Sequence, residues 1–254
     1  MPPLFTGVGV ALVTLFDDAG DLDPPATAAL ATQLVDAGVQ AVVVAGSTGE
    51  GSALSAPERS ALLDAVRDEI AGAVPVIAGT GAPSARQAVA LTRDAVAHGA
   101  EAVLVLSPPR SSDLAGYYGA VAGAAGAIPV LAYHYPNASA PGIPVEALAT
   151  IPGLAGLKDS SGEPERLLRE LSAWDRPIYT GSSALLSFAG PLGSAGAILA
   201  LANVDPERCI EAFAGDADAQ RALVRGHVAA HEAFPRRLKE MVADRFGTSP
   251  VARL

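Results

Sequence analysis

Lysine is scarce in this chain: of seventeen Lys and Arg residues, only Lys158 and Lys239 are lysine. Lys158 lies in GLKDSSG (156–162), inside an otherwise apolar, strand-like run. An amine can do there what a guanidinium cannot. Once deprotonated it attacks a carbonyl carbon, and the resulting iminium withdraws electrons from the adjacent carbon. A free lysine, with a pKa of about 10.4, is almost wholly protonated at neutral pH. Burial in an apolar setting lowers that pKa, whereas arginine stays charged. The bland account of a buried lysine is an ion pair with a buried carboxylate. Strand alternation gives little support to it, since Asp159 points away from Lys158 and Glu50 stands close to a helix start.

Two further stretches could act with such an amine. GSTGEG (46–51) places glycines beside the hydroxyls of Ser47 and Thr48, and a turn of that kind gathers backbone N–H groups around a small anion. It lacks the lysine of a triphosphate-binding loop, so a carboxylate fits better. In YHYP (133–136), alternation sets Leu131, Tyr133 and Tyr135 on one side and Ala132 and His134 on the other. Tyr133 is then the inward residue near a strand end, and His134 is given no catalytic role.

These residues need a scaffold, and the periodicity supplies one. Eight short apolar runs, near 9–16, 40–46, 75–81, 101–107, 129–135, 155–161, 177–182 and 196–203, alternate with helical segments. The helices fall near 24–37, 55–71, 84–98, 113–125, 144–150, 164–173, 183–190 and 206–232. Several carry start signals, with SAPE (55–58) forming a capping box and DPPA and DPER punctuating at 23 and 205. Near-continuous apolar strands separated by helices imply a covered parallel sheet. Eight repeats predict a closed (β/α)8 TIM barrel, with an open doubly wound sheet as the alternative. The expected organisation is one domain over 1–254, its barrel at about 7–232 and a short helix at about 235–246. Barrel sites form at the C-terminal strand ends, where Lys158, Tyr133 and the Ser47–Thr48 turn all fall.

Composition agrees with a sizeable core, since half the residues are hydrophobic and 17% are charged. A net charge of -10 with no basic run argues against nucleic acid. A single cysteine, Cys209, precludes an internal disulfide, and no zinc motif is present. A cytoplasmic setting is expected, for the start MPPLFTGVGV lacks a secretory pattern. Uncharged stretches at 114–145 and 181–204 are broken by Gly and Pro, which favours buried core over membrane spans.

With the three sites placed, the chain resembles the dihydrodipicolinate synthase and N-acetylneuraminate lyase family of pyruvate-dependent class I aldolases. The resemblance rests on GVGVALVTLF, GSTGEGSALSAPER, PVIAGTGAPSARQAVALTRDAVAHGAEAVLVLSP, the Tyr and Pro of YHYP, GLKDSSG and GAILALAN, in order along nearly the whole chain. It implies that Lys158 forms a Schiff base with pyruvate or a 2-keto acid. Ser47, Thr48 and the amides of that turn, Gly46 included, would bind the carboxylate. Tyr133 would relay protons, and Ile198 matches a position lining the pyruvate pocket. No cofactor or metal is implied, the partner is a small-molecule substrate, and a homo-oligomer, dimer or tetramer, is expected.

Departures bear on the second substrate. Pro108 and Pro109 stand where dihydrodipicolinate synthases carry a relay tyrosine, and Ala138 stands where they carry a carboxylate-clamping arginine. The leading expectation is a Schiff-base lyase or aldolase with an open aldehyde partner. The alternatives are a 4-hydroxy-tetrahydrodipicolinate synthase condensing pyruvate with aspartate semialdehyde, with Arg110 replacing the clamp, a non-catalytic keto-acid-binding barrel, and a phosphosugar-binding barrel.

Overall fold

The computed structural model describes residues 2–254. Eight parallel strands, β1 (Gly7–Ala11), β2 (Val42–Val44), β3 (Val76–Gly79), β4 (Ala102–Leu106), β5 (Val130–His134), β6 (Leu154–Asp159), β7 (Ile178–Thr180) and β8 (Gly196–Leu199), pair in sequence order. The ring shuts where β8 meets β1, with Val8 beside Ala197 and Val10 beside Leu199. That closure decides for the TIM barrel over the open sheet, which would leave two unpaired edges.

Side-chain alternation sorts the core into two shells. Inside the ring, Val43, Ile77, Leu104, Leu131, Tyr133, Tyr179 and Ile198 share one apolar cluster. Phe5 stacks on Tyr179 at 4.7 Å between ring centroids, and the Tyr179 hydroxyl accepts the Leu4 N–H at 3.0 Å. This plugs the N-terminal end. Val42, Val44, Val103, Val105 and Leu157 point outward into the larger shell beneath the helices.

The helices are α1 (Pro24–Asp36), α2 (Ala56–Ile70), α3 (Ala85–Ala97), α4 (Leu114–Ala125), α5 (Pro164–Ala173), α6 (Leu186–Ala189), α7 (Pro206–Phe213), α8 (Ala217–Ala222), α9 (Val224–His231) and α10 (Arg236–Phe246). Their starts follow the predicted punctuation. Ser55 and Glu58 exchange hydrogen bonds in a capping box, and Asp23 and Asp205 cap α1 and α7.

Four expectations are corrected. The continuous helix expected over 206–232 is α7, α8 and α9, because Gly215 takes a positive φ of 106° and Asp216 caps a fresh start. The segment after β5 is only a 3-10 helix, Val145–Thr150, entered through Pro144, and the expected helix at 183–190 shrinks to α6. The first strand pairs over Gly7–Ala11 rather than 9–16, the chain beyond it being held by side chains: Thr27 Oγ1 accepts the Leu15 N–H at 3.0 Å. Among the described residues no helix is long and apolar enough to cross a membrane.

The second lysine explains how the C-terminal helix is fixed. Lys239 on α10 is fully buried, and its Nζ donates to Glu50 Oε1 at 3.0 Å. The other oxygen, Glu50 Oε2, accepts the N–H groups of Arg253 at 2.7 Å and Leu254 at 2.8 Å. Lys239 Nζ and the Arg253 guanidinium stand 4.3 and 4.4 Å from the centroid of the Phe16 ring, adding cation–π attraction. A buried carboxylate stripped of its ammonium is left largely uncompensated, a loss of about 3–5 kcal/mol. Lys239→Met should therefore lower unfolding stability by about 3 kcal/mol in a urea titration, whereas Arg237→Ala, which removes an exposed pair with Glu240, should cost less than about 1 kcal/mol.

Candidate active site

Lys158 sits next to last on β6, where the alternation that sends Leu157 outward turns it toward the barrel mouth. Its neighbour across β5 is Tyr133, and Lys158 Nζ lies over that ring, 4.3 Å from the centroid. On the β7 side the backbone must come close. A Cβ on Gly181 would stand 3.1 Å from Lys158 Cε and would collide with Ser160 Oγ, so only glycine leaves the amine its space.

Only 4% of Lys158 is exposed, and it forms no ion pair among the described residues. Asp159, the adjacent carboxylate, is engaged on the helix side of the wall. There Arg166 lies 3.8 Å and His134 4.0 Å from its Oδ1. Desolvation without a counter-charge lowers the Lys158 pKa to about 7, so a large share of the amine is uncharged at neutral pH. Burial also raises the Tyr133 phenol, against the opposing effect of the neighbouring Ser160 and Ser47 side chains. It therefore stays protonated and able to donate. His134 is held neutral, at about 4, by burial and by Arg166, and its Nδ1 accepts the Ile143 N–H at 2.8 Å. That is a structural role.

The 46–51 turn joins Lys158 and Tyr133 around a cavity of about 510 Å³, to which Ser47 and Thr48 both contribute. Its shape is imposed from several directions. A Cβ on Gly51 would run into the Ala45 carbonyl, and Glu50 adopts a left-handed φ of 52°. Thr14 Oγ1 donates to the Gly49 carbonyl at 2.6 Å, and Arg59 donates to the carbonyls of Gly51, Leu54 and Gly79. Glu50, whose charge could have neutralised Lys158, is instead consumed by Lys239 and the chain near 253.

Of the residues singled out in the sequence, Lys158, Tyr133, Ser47 and Thr48 meet in this cavity. Gly46 lines an adjoining space of about 300 Å³ that shares Ser47 and Tyr133 with it and includes Ala138 and Arg59. Ile198 lines neither, being fully buried in the barrel interior. Arg110 is exposed and likewise absent from both linings. Sequence reasoning missed the rim, formed by Asn137, Ser160, Ser161, Ser182, Ser183 and, from α9, His227 and His231. The serines of DSSG and TGSS were visible beside strand ends. The histidines follow β8, but nothing in their spacing places α9 over the mouth.

The matches to known proteins agree with this fold. The family model described as Dihydrodipicolinate synthetase family matches residues 4–252. The chain belongs to that family. An uncharacterized DapA-like lyase of Halobacterium salinarum is 39% identical over 228 residues, covering 86% of this chain and 75% of the relative. A 4-hydroxy-tetrahydrodipicolinate synthase of Pseudomonas aeruginosa is 36% identical over 233 residues, covering 87% and 80%. Among solved structures, YagE, a prophage protein of the family from E. coli K12 in complex with pyruvate, superposes with a TM-score of 0.91 at 27% identity, covering 98% of this chain and 92% of that one. A monomeric dihydrodipicolinate synthase variant superposes at 0.90 with 25% identity, covering 99% and 90%. The protein is thus an enzyme of the aldolase/lyase type that the family comprises.

Two measurements test the state of the lysine. Below its pKa of about 7 the neutral fraction of Lys158 grows about tenfold per pH unit and above it the gain levels off. The initial rate of borohydride-trapped adduct formation with pyruvate should rise steeply to about pH 7 and flatten by about pH 8, whereas an unshifted lysine would keep climbing toward pH 10. Stability should rise with pH as well, but over a higher window than reactivity. Between the folded pKa and the unfolded value of 10.5 the unfolded chain binds the extra proton, so the burial cost is greatest at low pH and fades as pH rises through that window. Lys158→Met should accordingly stabilise the fold at pH 7, by on the order of a few kcal/mol in urea unfolding, with the gain shrinking toward pH 10.

Proposed function

We propose that the enzyme is a Schiff-base lyase or aldolase in which Lys158 condenses with the keto group of pyruvate or of a larger 2-keto acid. The observation that carries this reading is a buried strand-end amine with no counter-ion and a pKa of about 7, set over a protonated tyrosine and beside a hydroxyl-bearing turn. The neutral amine attacks the keto carbon, water leaves, and an iminium forms. Loss of a proton from the neighbouring carbon gives an enamine that adds to an aldehyde. In the reverse direction, cleavage of the carbon–carbon bond releases the aldehyde and returns the same enamine.

Ser47, Thr48 and the amides at Gly46 serve the carboxylate in this scheme. Tyr133, which shares the cavity with Ser160 and Ser47, moves protons to and from the departing water and the aldehyde oxygen. Ile198 belongs to the same apolar cluster inside the barrel as Tyr133. The pyruvate-bound family structure supports the keto-acid assignment. We further read the enzyme as cytoplasmic, in keeping with its lone buried Cys209, and as a homo-oligomer.

A second reading comes from the relatives named 4-hydroxy-tetrahydrodipicolinate synthase: pyruvate condensing with aspartate semialdehyde. It lacks a free cation for the semialdehyde's carboxylate. Ala138 supplies none, Arg110 lies outside the cavity, and Arg59 is spent on three carbonyls.

Borohydride reduction in the presence of pyruvate should leave a carboxyethyl group on the peptide bearing Lys158. Lys158→Arg should abolish both that adduct and pyruvate release from 2-keto-3-deoxy acids, N-acetylneuraminate or 4-hydroxy-2-oxoglutarate. An unmodified Lys158 peptide in the wild type would refute the scheme. Rescue of a diaminopimelate auxotroph would favour the second reading.

A further inference from the structure

The part of the cavity beyond Lys158 carries a second polar centre that the Schiff-base scheme does not use. His227 on α9 contributes to its wall. The imidazole is oriented by its surroundings: Nδ1 lies 2.8 Å from Ser183 Oγ, and the Ser183 carbonyl accepts from Gln220 Nε2 at 2.9 Å. Gln220 Oε1 in turn accepts the Ser187 N–H at 3.0 Å, tying α8 to the chain after β7. Among the described residues Nε2 makes no hydrogen bond, which leaves one ring nitrogen for a ligand. Burial, and then His231, lower the pKa of His227, so the ring is neutral at pH 7.

The rest of the lining points to the same kind of ligand. It contains no Asp, Glu or Arg, and beside Lys158, the tyrosines, His227, Ser183 and the turn residues its polar groups are the hydroxyls of Ser160, Ser161 and Ser182, the Asn137 amide and His231, whose ring centroid lies 4.5 Å from that of His227. A carboxylate on the far part of a substrate would lose its water and gain no cation in return. A hydroxyl would lose little, since neutral donors and acceptors surround it.

We propose that His227, clamped by Ser183, and the serine rim form the subsite for the aldehyde partner, and that this partner is neutral and hydroxyl-bearing, with Nε2 bonded to one of its hydroxyls. The inference rests on the Schiff-base reading and adds to it the class of the second substrate and the residue that selects it.

The test pairs pyruvate with glyceraldehyde, with propanal, which lacks the hydroxyls, and with succinic semialdehyde, which carries a carboxylate. In the wild type kcat/KM should favour glyceraldehyde over propanal by about tenfold or more. His227→Leu should collapse that ratio to about one to two, Ser183→Ala should reduce it, and His227→Gln, which keeps a side-chain donor and acceptor, should retain most of it. Borohydride trapping of pyruvate is followed in each variant. Trapping at Lys158 with an unchanged ratio in His227→Leu would overturn the subsite alone, as would a wild-type preference for succinic semialdehyde. No trapping in the wild type would overturn the Schiff-base reading and the subsite with it.

Discussion

An amine without a counter-charge, held in an apolar barrel mouth, is the constraint to which the rest of this site answers. The chain has two buried lysines, and each ammonium nitrogen lies 4.3 Å from an aromatic centroid. They differ in one respect. Lys239 has Glu50 at 3.0 Å, and Lys158 has no carboxylate partner among the described residues. The paired lysine is a fastening, while the unpaired one sits near its neutral form. Keeping it unpaired requires that every nearby acid be engaged elsewhere, and this is what the structure does. Asp159 is turned to Arg166 behind the wall, and Glu50 to Lys239 and the backbone of residues 253 and 254.

The same arrangement divides the labour between scaffold and rim. Strand ends deliver Lys158 and Tyr133, and a turn tied down by Thr14, Arg59 and Glu50 delivers Ser47 and Thr48. These groups have little freedom to move. The outer wall comes from loop residues and from α9, which carry no buried charge of their own and meet the cavity through hydroxyls and imidazoles. A preorganised floor with an exchangeable rim is the usual way a (β/α)8 barrel supports many chemistries on one frame.

Much of this is legible in the sequence, for reasons that can be named. Eight apolar runs separated by amphipathic segments have few solutions other than a wrapped parallel sheet, and period-two alternation is enough to turn Lys158 and Tyr133 inward and Asp159 outward. The scarcity of lysine singles out residue 158 by composition alone. What stays hidden depends on distance along the chain. The Glu50–Lys239 pair spans 189 residues, and the Ser183–His227 contact spans 44. Neither has a local signature. Ile198, which the resemblance sets beside the pyruvate pocket, is buried in the barrel interior, and the cavity lining after β8 is supplied by Ala200 and Leu201, two and three residues further on.

The reach of the Glu50–Lys239 pair also bears on the order in which the protein becomes active. The turn that carries Ser47 and Thr48 is made early in synthesis, with Thr14 and Arg59 close by in sequence, but one of its fastenings, Lys239, emerges only after the whole barrel has been translated. Contacts of such separation come late, since the entropy of closing the intervening chain must be met first. A nascent chain can therefore hold a nearly complete ring of strands, with Lys158 already present, while the Glu50 side chain of the 46–51 turn still lacks its ammonium partner.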